Sequence, residues 1–153
     1  MDRDSIRFLA RAGLYAAIYA VLTIVLAPIS YGIMQVRVAE ALTVLPIIDK
    51  SAIPGLFIGC LIANIVGGYG ILDIGLGSVF TLIAAYLTSK VKKDWQAPIP
   101  PVVINAIGVG TYLAIILKTP VYWGIFWVGL GELIACFGLG LPLLYFIRRI
   151  KNL

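Results

Sequence analysis

The sequence has no histidine, and only 12% of its 153 residues are charged. Without imidazole, the commonest metal ligand and the usual acid–base group are both excluded. The charged share is about half that of an ordinary soluble domain. A chain so poor in charge cannot cover a water-facing surface of normal polarity. Cysteine is scarce too: Cys60 and Cys136 each lie inside an apolar run, where they read as buried packing thiols rather than a disulfide. There is no G-x-x-x-x-G-K-[ST] phosphate loop, so the chain is not an ATPase by that route. No H-E-x-x-H, no nucleophile elbow and no paired-cysteine metal motif occurs. Catalysis and resident metal therefore have no support, and neither an internal repeat nor a low-complexity tract is present.

What the chain does have is apolar sequence in abundance. Apolar residues make up 61% of it, and the mean hydropathy is +1.04. Lipid can solvate such a chain if every backbone hydrogen bond closes internally, as in helices or a closed barrel. The apolar runs are continuous rather than alternating, which selects helices. The expectation is one all-α transmembrane domain over residues 1–153, a bundle of six helices at roughly 6–28, 37–48, 52–66, 73–89, 102–117 and 122–147. The breakers are Pro28 and Gly32, the Asp49-Lys50-Ser51 turn, Gly67-Gly68-Tyr69-Gly70, the polar stretch 90–101, and Lys118-Thr119-Pro120. Pro54 falls in a first helical turn, where its missing N–H does no harm. The second and third runs are shorter than the roughly 20 residues of a full span, so a five-span arrangement with a re-entrant second helix is the rival.

Basic residues decide between the two. The net charge of +5 does not point to nucleic acid, because most of the bases flank apolar runs. With six spans and the N-terminus inside, Arg3, Arg7, Arg11, Lys50, Lys90, Lys92, Lys93, Arg148, Arg149 and Lys151 all fall on the inner side. Only Arg37 and Lys118 fall outside. This bias follows the positive-inside rule and places both termini in the cytoplasm. Five spans would put the basic tail outside. Arg3, Arg7 and Arg11 imitate a signal peptide, but the apolar run from Ala12 to Pro28 is long for one and lacks a small-x-small cleavage site.

Polar residues inside the runs carry the functional argument, because a bilayer charges several kcal/mol, roughly 3, for each buried ion. Arg37 and Glu40 are three apart and could pair on one helix face, either as a lock on the second helix or as the lining of an outward cavity, with Gln35 adding a donor and an acceptor. Glu132 has no charged sequence neighbour and must face the bundle interior, paired with Arg37 or offered to a ligand bearing N–H donors or positive charge. Asp73 reads as a helix N-cap or a site acid. Asn64 and Asn105 read as interhelical glue or as ligand contacts. Tyr31, Tyr69, Tyr122, Trp123 and Trp127 fall on the outer side, as an interfacial belt or, for Trp127 above all, a stacking wall for a flat ligand. Ala12, Ala16 and Ala20 form a small-residue stripe on the first helix, suited to close packing against a helix of the same chain or of a separate protein.

These residues resemble a known family. Pro28-Ile29-Ser30-Tyr31-Gly32, then Gln35-x-Arg37-Val38-x-Glu40-Ala41-Leu42-Thr43-Val44-Leu45-Pro46, is similar to the queuosine-precursor transporter (QueT-type) family. So are Ile53-Pro54-Gly55-Leu56-Phe57-Ile58-Gly59-Cys60-Leu61-x-Ala63-Asn64 and Asp73-Ile74-x-x-Gly77-Ser78. The resemblance implies a substrate-binding S component of an energy-coupling-factor (ECF) importer in a prokaryotic cytoplasmic membrane. It implies partners as well: a transmembrane T component that meets Ala12, Ala16 and Ala20, and two cytosolic ATPases that use the ATP. No cofactor is implied for this chain. The implied substrate is 7-aminomethyl-7-deazaguanine or a related 7-deazaguanine. Chemistry agrees with that ligand: one carboxylate, Glu132 or its rival Glu40, can accept N1–H and the 2-amino group together. A second acid, Asp73 or Glu40, suits an ammonium, and Gln35, Asn105 or Arg37 suits O6. Tyr31, Trp123 or Trp127 suits the ring. The rivals are an S component for thiamine, folate or riboflavin, a stand-alone secondary transporter using Glu132, and a ligand-free assembly factor.

Overall fold

The computed structural model describes residues 2–31 and 35–151; Gly32, expected as a loop breaker, lies outside them. The described chain is almost wholly helical and has no strand. Helix α1 spans Arg3–Val25. Asp2 caps it by accepting from the Ser5 N–H at 2.8 Å. Pro28 ends the run and opens the short helix α2, Ala27–Ser30. Next comes a 3₁₀ segment, Val38–Ile47, then α3, Ala52–Gly67. A π turn, Asp73–Gly77, leads into α4, Ser78–Thr88. Helix α5 is Ile99–Ile116, with proline in its first turn. Helix α6, Val121–Glu132, runs through a π stretch, Leu133–Gly140, into α7, Leu141–Lys151.

Three of these helices, Arg3–Val25, Asp94–Ile116 and Val121–Ile150, are long and apolar enough to cross a membrane. Three shorter apolar helices, Val38–Ile47, Ala52–Gly67 and Asp73–Thr88, stand between them in sequence. The apolar segments thus occur in the expected order. The second differs in kind. A 3₁₀ helix rises about 2.0 Å per residue against about 1.5 Å in an α-helix, so its ten residues reach roughly a third farther. The ten residues then cover roughly 20 Å, still less than the roughly 30 Å of a hydrocarbon core. The segment is buried almost throughout, from Ala39 to Pro46, so packing replaces the stability that its poorer hydrogen bonds give up.

The outside of the bundle is as apolar as its core. Val25, Ile65, Ile107, Ile115 and Phe146 are all exposed, a surface suited to hydrocarbon rather than water. Inside, Tyr19, Leu56, Val44 and Leu144 are fully buried. Helix α1 lies directly on α3. A Cβ added at Gly55 would stand 2.6 Å from the Ala12 carbonyl oxygen, and one at Gly59 would stand 2.8 Å from that of Ala16. Ala12, Ala16 and Ala20 are each only 6% exposed. Ala12 and Ala16 thus pack on α3 within the chain.

Candidate functional site: a buried polar cluster

The polar residues of the helices converge in the bundle interior, in two neighbouring groups. The first surrounds Arg37. This residue has an extended backbone (φ −82°, ψ 101°) just before the 3₁₀ segment. The spacing of three to Glu40 therefore does not place the two side chains on one helical face, and the expected Arg37–Glu40 pair is not made. The guanidinium instead lies with Nη2 3.9 Å from Asp73 Oδ1. Its Nε donates to the Ser30 carbonyl at 3.4 Å, and its carbon stands 5.7 Å from the centre of the Tyr31 ring. Asp73 Oδ1 also accepts from the Tyr112 hydroxyl at 2.6 Å. Asn64 Nδ2 donates to the Asp73 carbonyl at 2.8 Å. Asp73 is not an N-cap, as Leu72 before it is already helical (φ −68°, ψ −41°) and its carboxylate points to other helices. Gly77 makes room for this group: a Cβ there would meet Tyr112 Oη at 2.8 Å and Asn64 Nδ2 at 2.9 Å.

The second group surrounds the two glutamates. Glu40 accepts a hydrogen bond from the Tyr19 hydroxyl of α1. Glu132 accepts from Asn105 Nδ2 at 3.0 Å, and the Cys136 thiol stands 3.4 Å from its other oxygen. The same thiol lies 3.5 Å from the Glu40 carbonyl oxygen, so Cys136 joins the two acids' surroundings. Glu132 thus has an amide and a thiol as its partners, not Arg37. Cys60 joins the first group, with Thr81 Oγ1 at 3.3 Å, Asn64 Nδ2 at 3.4 Å and Arg37 Nη1 at 3.8 Å. Both π segments touch the site: one opens at Asp73, and the other begins directly after Glu132. Such wide turns in a helix frequently occur at functional positions.

Burial makes the cluster costly. Glu40, Asp73, Glu132, Arg37, Asn64, Asn105 and Gln35 are each at most 5% exposed. Yet Glu40 Oε2, Asp73 Oδ2, Asn64 Oδ1, Asn105 Oδ1, Gln35 Nε2 and Arg37 Nη2 have no hydrogen-bond partner among the described residues. Gln35 also holds a left-handed backbone, φ 36°, which non-glycine residues seldom adopt. Buried polar atoms are nearly always satisfied. A set of donors and acceptors left open in one place is what a polar ligand requires.

The aromatic wall is only partly assembled. Tyr31 sits at the edge of the cluster, its hydroxyl on the Ala63 carbonyl at 2.7 Å and its ring stacked on Tyr69 at 6.1 Å. Trp123 and Trp127 pack edge-to-face on each other, centroids 5.5 Å apart, and both pack on Phe126. Trp123 is 43% exposed, as an interfacial aromatic would be, and Trp127 is half-buried. Neither joins the acids. A cavity of about 490 Å³ between α4 and α5 is lined by Leu76, Phe80, Ile107 and Tyr112 among others. It contains no charged residue and opens on the apolar side, with the stacked Phe80–Tyr112 pair between it and Asp73. The polar cluster, not this groove, holds the chemistry.

Tyr19, Cys60, Thr81, Tyr112 and Cys136 were not anticipated as site residues. The helical repeat contained a signal for some of them. Tyr112 lies two turns after Asn105, Cys136 one turn after Glu132, and Cys60 one turn before Asn64, each on the same face as its partner.

A family model described as QueT transporter matches residues 9–149, nearly the whole chain. The chain belongs to the QueT transporter family. No curated protein matches it, and no solved structure does. A QueT transporter is a membrane protein that moves a small molecule, suggested by the family to be a queuosine precursor. That role fits a cluster of buried acids and amides with open hydrogen-bonding positions, and it calls for no catalytic group.

Proposed function

We propose that this chain is the substrate-binding S component of an ECF importer and that its buried cluster takes up a 7-deazaguanine precursor of queuosine from outside the cell. The carrying observation is the Glu132–Asn105 pair, fully inside the bundle. Glu132 presents acceptor lone pairs, and Asn105 Oδ1 lacks a partner. A guanine-type edge offers N1–H and a 2-amino group side by side and matches such a patch of acceptors. Arg37 and Gln35 supply the open donors for the ring's O6. Tyr31 and Tyr69 supply a stacked aromatic face.

The absence of a phosphate loop in the sequence supports an energy source in partner subunits, a T component and two ATPases. With six spans and both termini in the cytoplasm, the cluster receives substrate from the outer side, and partner motion empties it inward. The decisive experiment has two stages. Calorimetry with the purified chain in detergent should give tight binding of 7-aminomethyl-7-deazaguanine and none of guanine-free vitamins such as thiamine. Uptake into vesicles should then require the T component, the ATPases and ATP. A second reading is favoured by one observation: Glu132 has no cationic partner, as befits a proton carrier. Uptake by the chain alone, driven by a proton gradient, would establish that reading and exclude the first.

A further inference from the structure

The groove between α4 and α5 lies apart from the polar cluster and faces the lipid side of the bundle. Leu76, Phe80 and Ile83 form one wall, and Val103, Ile107 and Ile115 form the other. All but Phe80 are exposed. From Val103 to Ile115 the groove follows α5 for roughly 18 Å, at about 1.5 Å per residue. One leaflet of a bilayer holds about 15 Å of hydrocarbon. A slot of that length, with a volume of about 490 Å³, has room for an acyl chain. Gly108 gives it depth, since a Cβ there would stand 2.8 Å from the Phe80 ring.

One end of this slot is strongly basic. The connection from α4 to α5 carries Lys90, Lys92 and Lys93, all exposed. Because it joins the end of α4 to the start of α5, it stands at the Ile83 and Val103 end of the groove. Trp95 in the same connection is 51% exposed, as an indole at headgroup level would be. The connection is tied down: Thr88 Oγ1 donates to the Ala97 carbonyl at 3.3 Å, and Asp94 is engaged by Arg148. Among the described residues, none of the three lysines has an acidic partner. We infer that the groove binds a phospholipid with an anionic headgroup, its chain laid between α4 and α5 and its phosphate among Lys90, Lys92 and Lys93. Basic residues beside a membrane attract anionic lipid, and here the slot fixes where that lipid sits. A helix of another protein would fill the slot but leave the three charges unanswered. The inference is independent of which solute the polar cluster carries.

The test reconstitutes the full chain in vesicles of equal parts phosphatidylglycerol and phosphatidylcholine with identical acyl chains. The chain is then extracted in mild detergent, and the lipid it retains is identified by native mass spectrometry. The wild type should keep phosphatidylglycerol at least about tenfold in preference to phosphatidylcholine. Lys90→Gln, Lys92→Gln and Lys93→Gln, made together, should remove that preference. Ile107→Trp, at an exposed position on the groove wall, should fill the slot and cut retention several-fold with the lysines intact. Equal retention of the two lipids by the wild type would overturn the inference. A preference that survives the triple replacement would overturn the role of the lysines. Retention unchanged in Ile107→Trp would place the lipid outside the groove and overturn the site. A wild-type chain that leaves the membrane as a lipid-free dimer would show that a second copy covers this face instead. All four substitutions are at exposed positions, and the wild-type comparison does not depend on any variant folding.

Discussion

Glu132 shows how a single side chain acquires meaning from its surroundings. Within its own helix it is an acid among glycines and leucines, and the bilayer forbids it a lipid-facing position. Across the bundle, Asn105 gives it one donor and keeps its own carbonyl oxygen free. Glutamine has nearly the same shape and can still accept from Asn105, so Glu132→Gln should fold. It should lose on the order of 2–5 kcal/mol of binding to 7-aminomethyl-7-deazaguanine, the usual consequence of removing one member of a buried charged contact. Calorimetry beside a thermal melt checks both halves, and unchanged affinity would remove Glu132 from the site. Arg37 teaches the opposite lesson. Its sequence spacing to Glu40 suggests a helical pair, but its extended backbone sends it to Asp73 instead.

At the level of elements, α1 and α3 act as one unit. Gly55 and Gly59 let their backbones meet, and the same contact seats Tyr19, whose hydroxyl holds Glu40. A methyl group at Gly59 would stand 2.8 Å from the Ala16 carbonyl oxygen and 2.8 Å from Tyr19 Cβ. Backbone on one side and the base of a buried ring on the other leave nowhere to yield. Gly59→Ala should therefore destabilise the chain by about 1–3 kcal/mol. It should also weaken ligand binding by displacing Tyr19 and, with it, Glu40. A loss of stability without any loss of affinity would separate the α1–α3 contact from the site. Element lengths were largely legible in the sequence, since apolar runs and their Pro, Gly and charged breakers are local signals. The 3₁₀ character of Val38–Ile47 was not, because it depends on how far that short segment must reach between neighbours that the sequence does not position.

The whole molecule has a polar end whose interactions are accessible to pH. There Asp49, in the turn before α3, accepts from the Ser51 hydroxyl at 2.7 Å and from the Ser51 N–H at 3.0 Å. It also lies 3.6 Å from Arg11 of α1. Burial alone would raise its pKa; the Ser51 hydrogen bonds and Arg11 outweigh that and hold it below the usual aspartate value. A lowered folded-state pKa means stabilisation that is complete above the unfolded value, about 4, and lost as pH falls through the folded one. Asp49→Asn should thus cost on the order of 1–2 kcal/mol at neutral pH, and that cost should shrink as pH falls from neutral to below about 4. Melting curves of both proteins across that range test it, and a cost independent of pH would show that shape rather than charge matters at this turn. A further ion pair joins Arg148 Nε of α7 to Asp94, before α5, at 2.8 Å.

The sequence by itself determined the solvent of this protein, its helical class, the order of its apolar segments and the list of polar residues that could not face lipid. These follow from composition and short-range pattern, because hydrocarbon punishes every exposed polar group wherever the helix stands. Tertiary structure alone decided the pairings. It joined Arg37 to Asp73, Tyr19 to Glu40 and Asn105 to Glu132, turned Ala12 and Ala16 inward onto α3, and kept Trp123 out of the acid cluster. Such choices depend on the rotation and crossing of helices distant in sequence, and no local periodicity encodes which buried group meets which.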